Sequence, residues 1–104
     1  MLLYPPPTDP QAFREYYEDH HLPIAARLPG LRALRWGFDV AAPGGDTPYF
    51  CVFEADFDGA AALDAALASP EGEATAADVP NYATGGAVLL RYDLRDGEPA
   101  TTGG

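Results

Sequence analysis

Lysine is absent from this chain, cysteine occurs once, and no apolar run approaches the ~18 residues that cross a bilayer. The missing lysines leave six arginines against 16 acidic residues, a formal net charge of -10. Such a field repels phosphate backbones and anionic lipid, so neither nucleic acid nor a membrane surface is expected as a partner. A single cysteine cannot close an intrachain disulfide, and Cys51 lies in the apolar run 49–57, where it reads as a small buried hydrophobe. The first residues lack the charged, then apolar, pattern of a secretory leader, so none is expected. The first strand is expected from residue 2, and the expected compartment is the cytoplasm. No Ser-His-Asp order or nucleophile elbow is present. Gly44-Gly45 and Gly85-Gly86 are bare pairs without phosphate-binding spacing, so no nucleotide cofactor is expected.

What is present is globular. Apolar residues make up 47% and charged residues 21% of 104 positions, enough for one core and one domain over residues 1–94, followed by a polar tail at 95–104. A short strand at 1–4 stops at Pro5-Pro6-Pro7. Asp9-Pro10 is a capped helix start, and Phe13, Tyr17, Ile24 and Leu28 recur at helical spacing up to Pro29-Gly30. Pro23 cannot donate to the Asp19 carbonyl, which predicts a kink. Strands are expected at 31–40, 49–57 and 84–94, with helices at 60–68 and from Ser69-Pro70 to about Val79.

The order β-α-β-β-α-(α)-β is that of a ferredoxin-like α+β fold: a four-stranded, mostly antiparallel sheet with helices on one face. The other face also carries apolar groups, read as Phe50 and Val52 on one strand and Val88, Leu90 and Tyr92 on another. Burying each contributes roughly 1.5–3 kcal/mol, which predicts a homodimer, sheet against sheet, closed into an α+β barrel.

Chemistry concentrates in Phe13-Arg-Glu-Tyr-Tyr-Glu-Asp-His-His-Leu-Pro23. An imidazole titrates near neutrality, so His20 or His21 can take or give a proton, and helix geometry alone does not choose between them. The bland alternative is a histidine satisfied by a backbone carbonyl or left exposed at a helix break. Trp36, Tyr17, Tyr82, Phe53 and Tyr49 supply aromatic surface, mostly core by default. Tyr82 follows Pro80-Asn81, where a phenol can point into a cleft. Arg35 is either an anchor for a substrate anion or the partner of a local carboxylate. Asp78 and Glu73 read as a solvated helix face. Glu18-x-x-His21 has di-iron spacing but stands alone, so no metal site is expected.

Tyr16-Tyr17-Glu-Asp-His-His21-Leu-Pro23-Ile resembles the Tyr-Tyr-x-x-x-His-x-Pro-Leu segment of the EthD family. Ala68-Ser-Pro-Glu-Gly72, Ala76-Ala-Asp78 and Asn81-Tyr-Ala-Thr-Gly-Gly86 resemble its second signature, and Tyr4-Pro5 fits its first strand. The resemblance implies a dimeric α+β barrel with the family histidine at His21 and Tyr16 and Tyr17 as motif partners. His20 is extra, and Ile24 replaces a leucine. The wider superfamily includes cofactor-independent monooxygenases, isomerases, cyclases and haem-handling proteins. The expectation is therefore a catabolic protein without bound cofactor, acting on a small hydrophobic, possibly aromatic ligand. Its catalytic histidine is His21 or His20, and its substrate contacts come from Tyr17, Tyr16, Trp36, Tyr82 and Arg35. The alternatives are a non-catalytic carrier of a hydrophobic metabolite and a haem-binding protein.

Overall fold

Three prolines and two polar caps set most of the boundaries. The computed structural model describes residues 1–100. Its order is β1 (Leu2–Tyr4), α1 (Pro10–Tyr16), a π-helical turn (Tyr17–His21), α2 (Leu22–Ala25), β2 (Ala33–Phe38), β3 (Cys51–Asp56), α3 (Ala60–Ala68), α4 (Pro70–Asp78), a 3-10 turn (Val79–Asn81) and β4 (Val88–Leu89). Asp9 caps α1 by accepting from the Ala12 amide at 3.1 Å, and Ser69 caps α4 by accepting from the Gly72 amide at 3.0 Å. Pro10 and Pro70 occupy the first helical positions, where no amide hydrogen is needed. At Pro23 the expected kink takes the form of the wide turn. The Leu22 amide reaches back five residues to the Tyr17 carbonyl, so the helix passes the proline without breaking.

The sheet runs β2-β3-β1-β4, with each neighbouring pair antiparallel. Directly opposed residues share a face, so Phe38, Cys51 and Tyr4 point together, as do Trp36, Phe53, Leu2 and Leu89. The helices pack on this face. Its core is aromatic: the Phe13 ring lies 5.3 Å from Tyr17 and 5.1 Å from Tyr82, with Tyr4 5.5 Å away. Cys51 is fully buried beneath them, and burial pushes its thiol up to about 12. Phe50, expected on the outer face beside Val52, packs edge-on against Phe13 at 5.3 Å, because strand alternation starts only at Cys51.

The ferredoxin-like order holds, with the helices on one face; the α+β barrel does not. The sheet is open, with β2 and β4 as its two edges and no pairing between them among the described residues. Two features explain this. The strand expected over 84–94 shrinks to Val88–Leu89, extended only by backbone bonds between Leu90 and Met1. Beyond it Arg91 turns to Asp64 on α3 at 2.7 Å, drawing the chain off the ladder. In addition, the outer face is half charged, since Arg35 bonds both Glu54 and Asp56 at 3.1 Å there. Residues 95–100 have no regular structure, and the last four positions of the expected tail lie outside the described residues. No helix among the described residues is long and apolar enough to cross a membrane.

Candidate functional site

The π-helical turn sets the direction of four side chains at once. Its wider spacing keeps Tyr17 and His21 stacked on the core side, ring centres 5.3 Å apart, while the Tyr16 and His20 rings lie tilted to each other at 4.9 Å on the other side. Tyr17 is fully buried, His21 is 1% exposed, and His20 is exposed. Insertions of this kind recur at functional sites because they re-aim side chains without ending the helix.

His21 does not rest on a backbone carbonyl. Its Nδ1 lies 2.9 Å from Oδ2 of Asp78, a buried carboxylate at the end of α4. The other oxygen, Oδ1, accepts from the Tyr16 hydroxyl at 2.5 Å and the Asn81 side-chain amide at 3.0 Å. With donors on both oxygens Asp78 is an ionised acceptor, so Nδ1 carries the proton. Burial opposes ionisation of Asp78, yet the bonds from Tyr16, Asn81 and His21 together outweigh it and hold its carboxyl below the ordinary range. Burial dominates at His21 and lowers its imidazole below the usual value, with Asp78 pulling the other way. The ring is therefore neutral at neutral pH, and Nε2, the nitrogen Asp78 leaves free, is a lone-pair acceptor without a protein partner among the described residues.

The His21 ring forms part of the wall of a cavity of about 770 Å³ between the helices and the inner sheet face. Ala25, Phe53, Leu63, Val79 and Leu89 give it an apolar surface, and the segment after β4 crosses its mouth. This volume suits a small organic molecule. A second recess of about 230 Å³ lies on the far side of the dyad, where Tyr16, Asn81 and Tyr82 reach its wall.

The residues singled out in the sequence are only partly brought together. His21 is at the cavity and His20 is outside it. Tyr17 and Tyr82 are core residues behind the imidazole. The Tyr82 ring centre is 4.5 Å from that of His21, and its hydroxyl is spent on Tyr4 at 2.8 Å. The Tyr17 hydroxyl is buried without a hydrogen-bond partner among the described residues. Burial raises both phenols well above the tyrosine range, so neither ionises in the folded chain. Tyr16 touches Asp78 rather than the cavity. Trp36 lies at the sheet edge, 41% exposed, its indole bonded to Glu18 at 3.1 Å. Arg35 sits on the outer face with its two carboxylates. Asp78, read from sequence as a solvated position, is the member that reasoning missed. The only sign of it was its place in the second signature. No group of three or more metal-ligating side chains gathers among the described residues.

Comparisons with known proteins place the chain in a family. The EthD domain family matches residues 5–86, which include every member of the dyad and its clamp. An uncharacterized 11.0 kDa protein from the thcB–thcC intergenic region of Rhodococcus erythropolis is 34% identical over 92 residues, covering 88% of this chain and 89% of that one. The crystal structure of an ethyl tert-butyl ether D (EthD) family protein from Bacillus halodurans C-125 superposes with a TM-score of 0.82 at 30% identity. It covers 89% of this chain and 94% of its own. With the family matched over most of its length and the fold shared with a solved member, the chain belongs to the EthD family.

Proposed function

We propose that this protein binds a small hydrophobic compound in the cavity beside α2 and moves a proton on it through Nε2 of His21. One observation carries the reading: a neutral, buried imidazole on an apolar wall, its other nitrogen fixed by a clamped carboxylate. That is the arrangement of a general base, because Asp78 sets the tautomer and stabilises the imidazolium once it forms. Tyr17 and Tyr82 hold the ring from behind. Proton abstraction of this kind serves isomerisation, cyclisation, or carbanion formation before oxygen attack. The solved relative's family name refers to ethyl tert-butyl ether, which fits a role on small apolar compounds. His21→Ala is expected to lower kcat by about 100-fold or more while ligand affinity falls by no more than about tenfold. Full turnover in that variant would refute the assignment. If affinity persists and no compound turns over in either protein, the carrier reading takes its place.

The working unit is a homodimer formed over the outer sheet face. Val88 is 39% and Leu90 45% exposed there, beside half-buried Leu3 and Val52. Covering a side chain of this type contributes roughly 1.5–3 kcal/mol, enough in sum to hold two copies together. Sedimentation at micromolar protein is expected to give twice the chain mass, and a single subunit would rule the dimer out.

A further inference from the structure

The charges and hydrogen-bonding state of the cavity wall restrict what it can hold. The wall has two cations, and both are already taken. Arg91 is bound by Asp64 at 2.7 Å and also reaches the Ala60 carbonyl, and the Met1 ammonium is bound by the Leu90 carbonyl at 2.8 Å. Of the acidic residues on the wall, Asp56 and Asp58 are paired with Arg35 and Arg32, Asp93 adds a further negative charge, Asp78 lies behind the imidazole, and the chain as a whole carries -10. An anion entering here would lose its hydration and gain no positive partner. Among the buried residues of this wall, the polar side-chain atom without a protein partner is Nε2 of His21. With the Nδ1 proton held by Asp78, Nε2 can only accept.

Resting on the reading of the cavity given above, we infer that the site takes an uncharged, largely apolar molecule that presents one hydrogen-bond donor to Nε2 of His21, and that it rejects carboxylates and other anions of the same shape. The discrimination is of the stronger kind. A ligand without the donor leaves a desolvated acceptor unmatched, whereas one with a negative charge is desolvated with no free cation to meet it.

Three probes on one ring system separate these effects: 1-naphthol, 1-methoxynaphthalene and 1-naphthoate, titrated calorimetrically into the purified full chain at neutral pH. Naphthol is expected to bind one per chain, the ether about tenfold more weakly, and the naphthoate more weakly still. His21→Leu is expected to bring naphthol and ether to equal affinity. Leu63→Trp, which fills the cavity from α3, is expected to weaken naphthol by tenfold or more. The inference is overturned if the ether or the naphthoate matches naphthol on the wild-type chain. It is equally overturned if Leu63→Trp changes nothing, since the probe then sits elsewhere. Binding by all three alike would leave the apolar cavity standing and remove only this selectivity. Binding by none would remove both.

Discussion

Replacing Asp78 by asparagine is expected to lower turnover on the cavity's substrate by about 100-fold or more at neutral pH, with the chain still folded. The carboxylate fixes which imidazole nitrogen carries the proton. An asparagine in its place can turn its amide hydrogens toward Nδ1, moving the ring proton to Nε2, and the cavity then faces a donor where it had faced a base. The tautomer is directly readable. Imidazole nitrogen shifts are expected to show Nε2 unprotonated in the wild-type chain and protonated in a substantial share of the Asp78→Asn molecules. The pH dependence follows with a definite sign. His21 and Asp78 both have folded values below their unfolded ones of 6.5 and 3.8, so the unfolded chain binds more protons in each window. Their contribution to stability is complete above about 6.5. It is lost in two steps, as acid passes first below the histidine value and then below the carboxylate value. Asp78→Asn removes the lower step and deepens the upper one, since His21 loses the partner that supported its charged form. Urea titrations across the acid range measure both. An unchanged tautomer together with unchanged acid stability would show that Asp78 does not govern His21.

Much of this architecture is visible in the sequence because the signals involved are local. Asp9-Pro10 and Ser69-Pro70 announce helix starts through caps that reach only three residues, and both are found in place. Pro23 announces a disturbance, but whether it becomes a kink or a widened turn depends on whether the Leu22 amide can reach back to the Tyr17 carbonyl, which is settled by packing. The length of β4 was not legible. Its residues alternate well enough as far as Leu94, yet pairing needs a partner strand, and β1 offers only a few positions. The barrel failed for a related reason. Counting apolar residues on the outer face passed over Arg35, Glu54 and Asp56, which cluster only once β2 and β3 are in register. At the site, His21 was named from sequence and Asp78 was not. An acidic residue at the end of a helix beside alanines looks solvated until the π-helical turn brings an imidazole and a phenol against it, 57 and 62 positions away in the chain.

The corner that sets Asp78 at its place depends on the absence of a single methyl group. Gly72 lies in the first turn of α4, and a Cβ built on it would meet the Ala66 carbonyl oxygen at 2.2 Å and that of Leu67 at 2.6 Å. Both are backbone atoms closing α3, so no side-chain rotation relieves the overlap, and the two helices would have to separate. Gly72→Ala is therefore expected to destabilise the chain by about 3 kcal/mol or more, even though alanine is the better helix former by roughly 0.5–1 kcal/mol. For a domain of this size that corresponds to a fall in Tm of about 12 °C or more by scanning calorimetry. Glu73→Ala, one residue along on the exposed side of the same turn, is the control and is expected to stay within about 0.5 kcal/mol of the wild type. The effect should reach the site as well. Asp78 rides on α4, so a displaced helix lengthens its bond to His21, and the imidazole shifts of Gly72→Ala should move toward those of Asp78→Asn. A Gly72→Ala chain that melts at or above the wild-type temperature would mean that α3 and α4 do not meet this closely and that the dyad is positioned by something else.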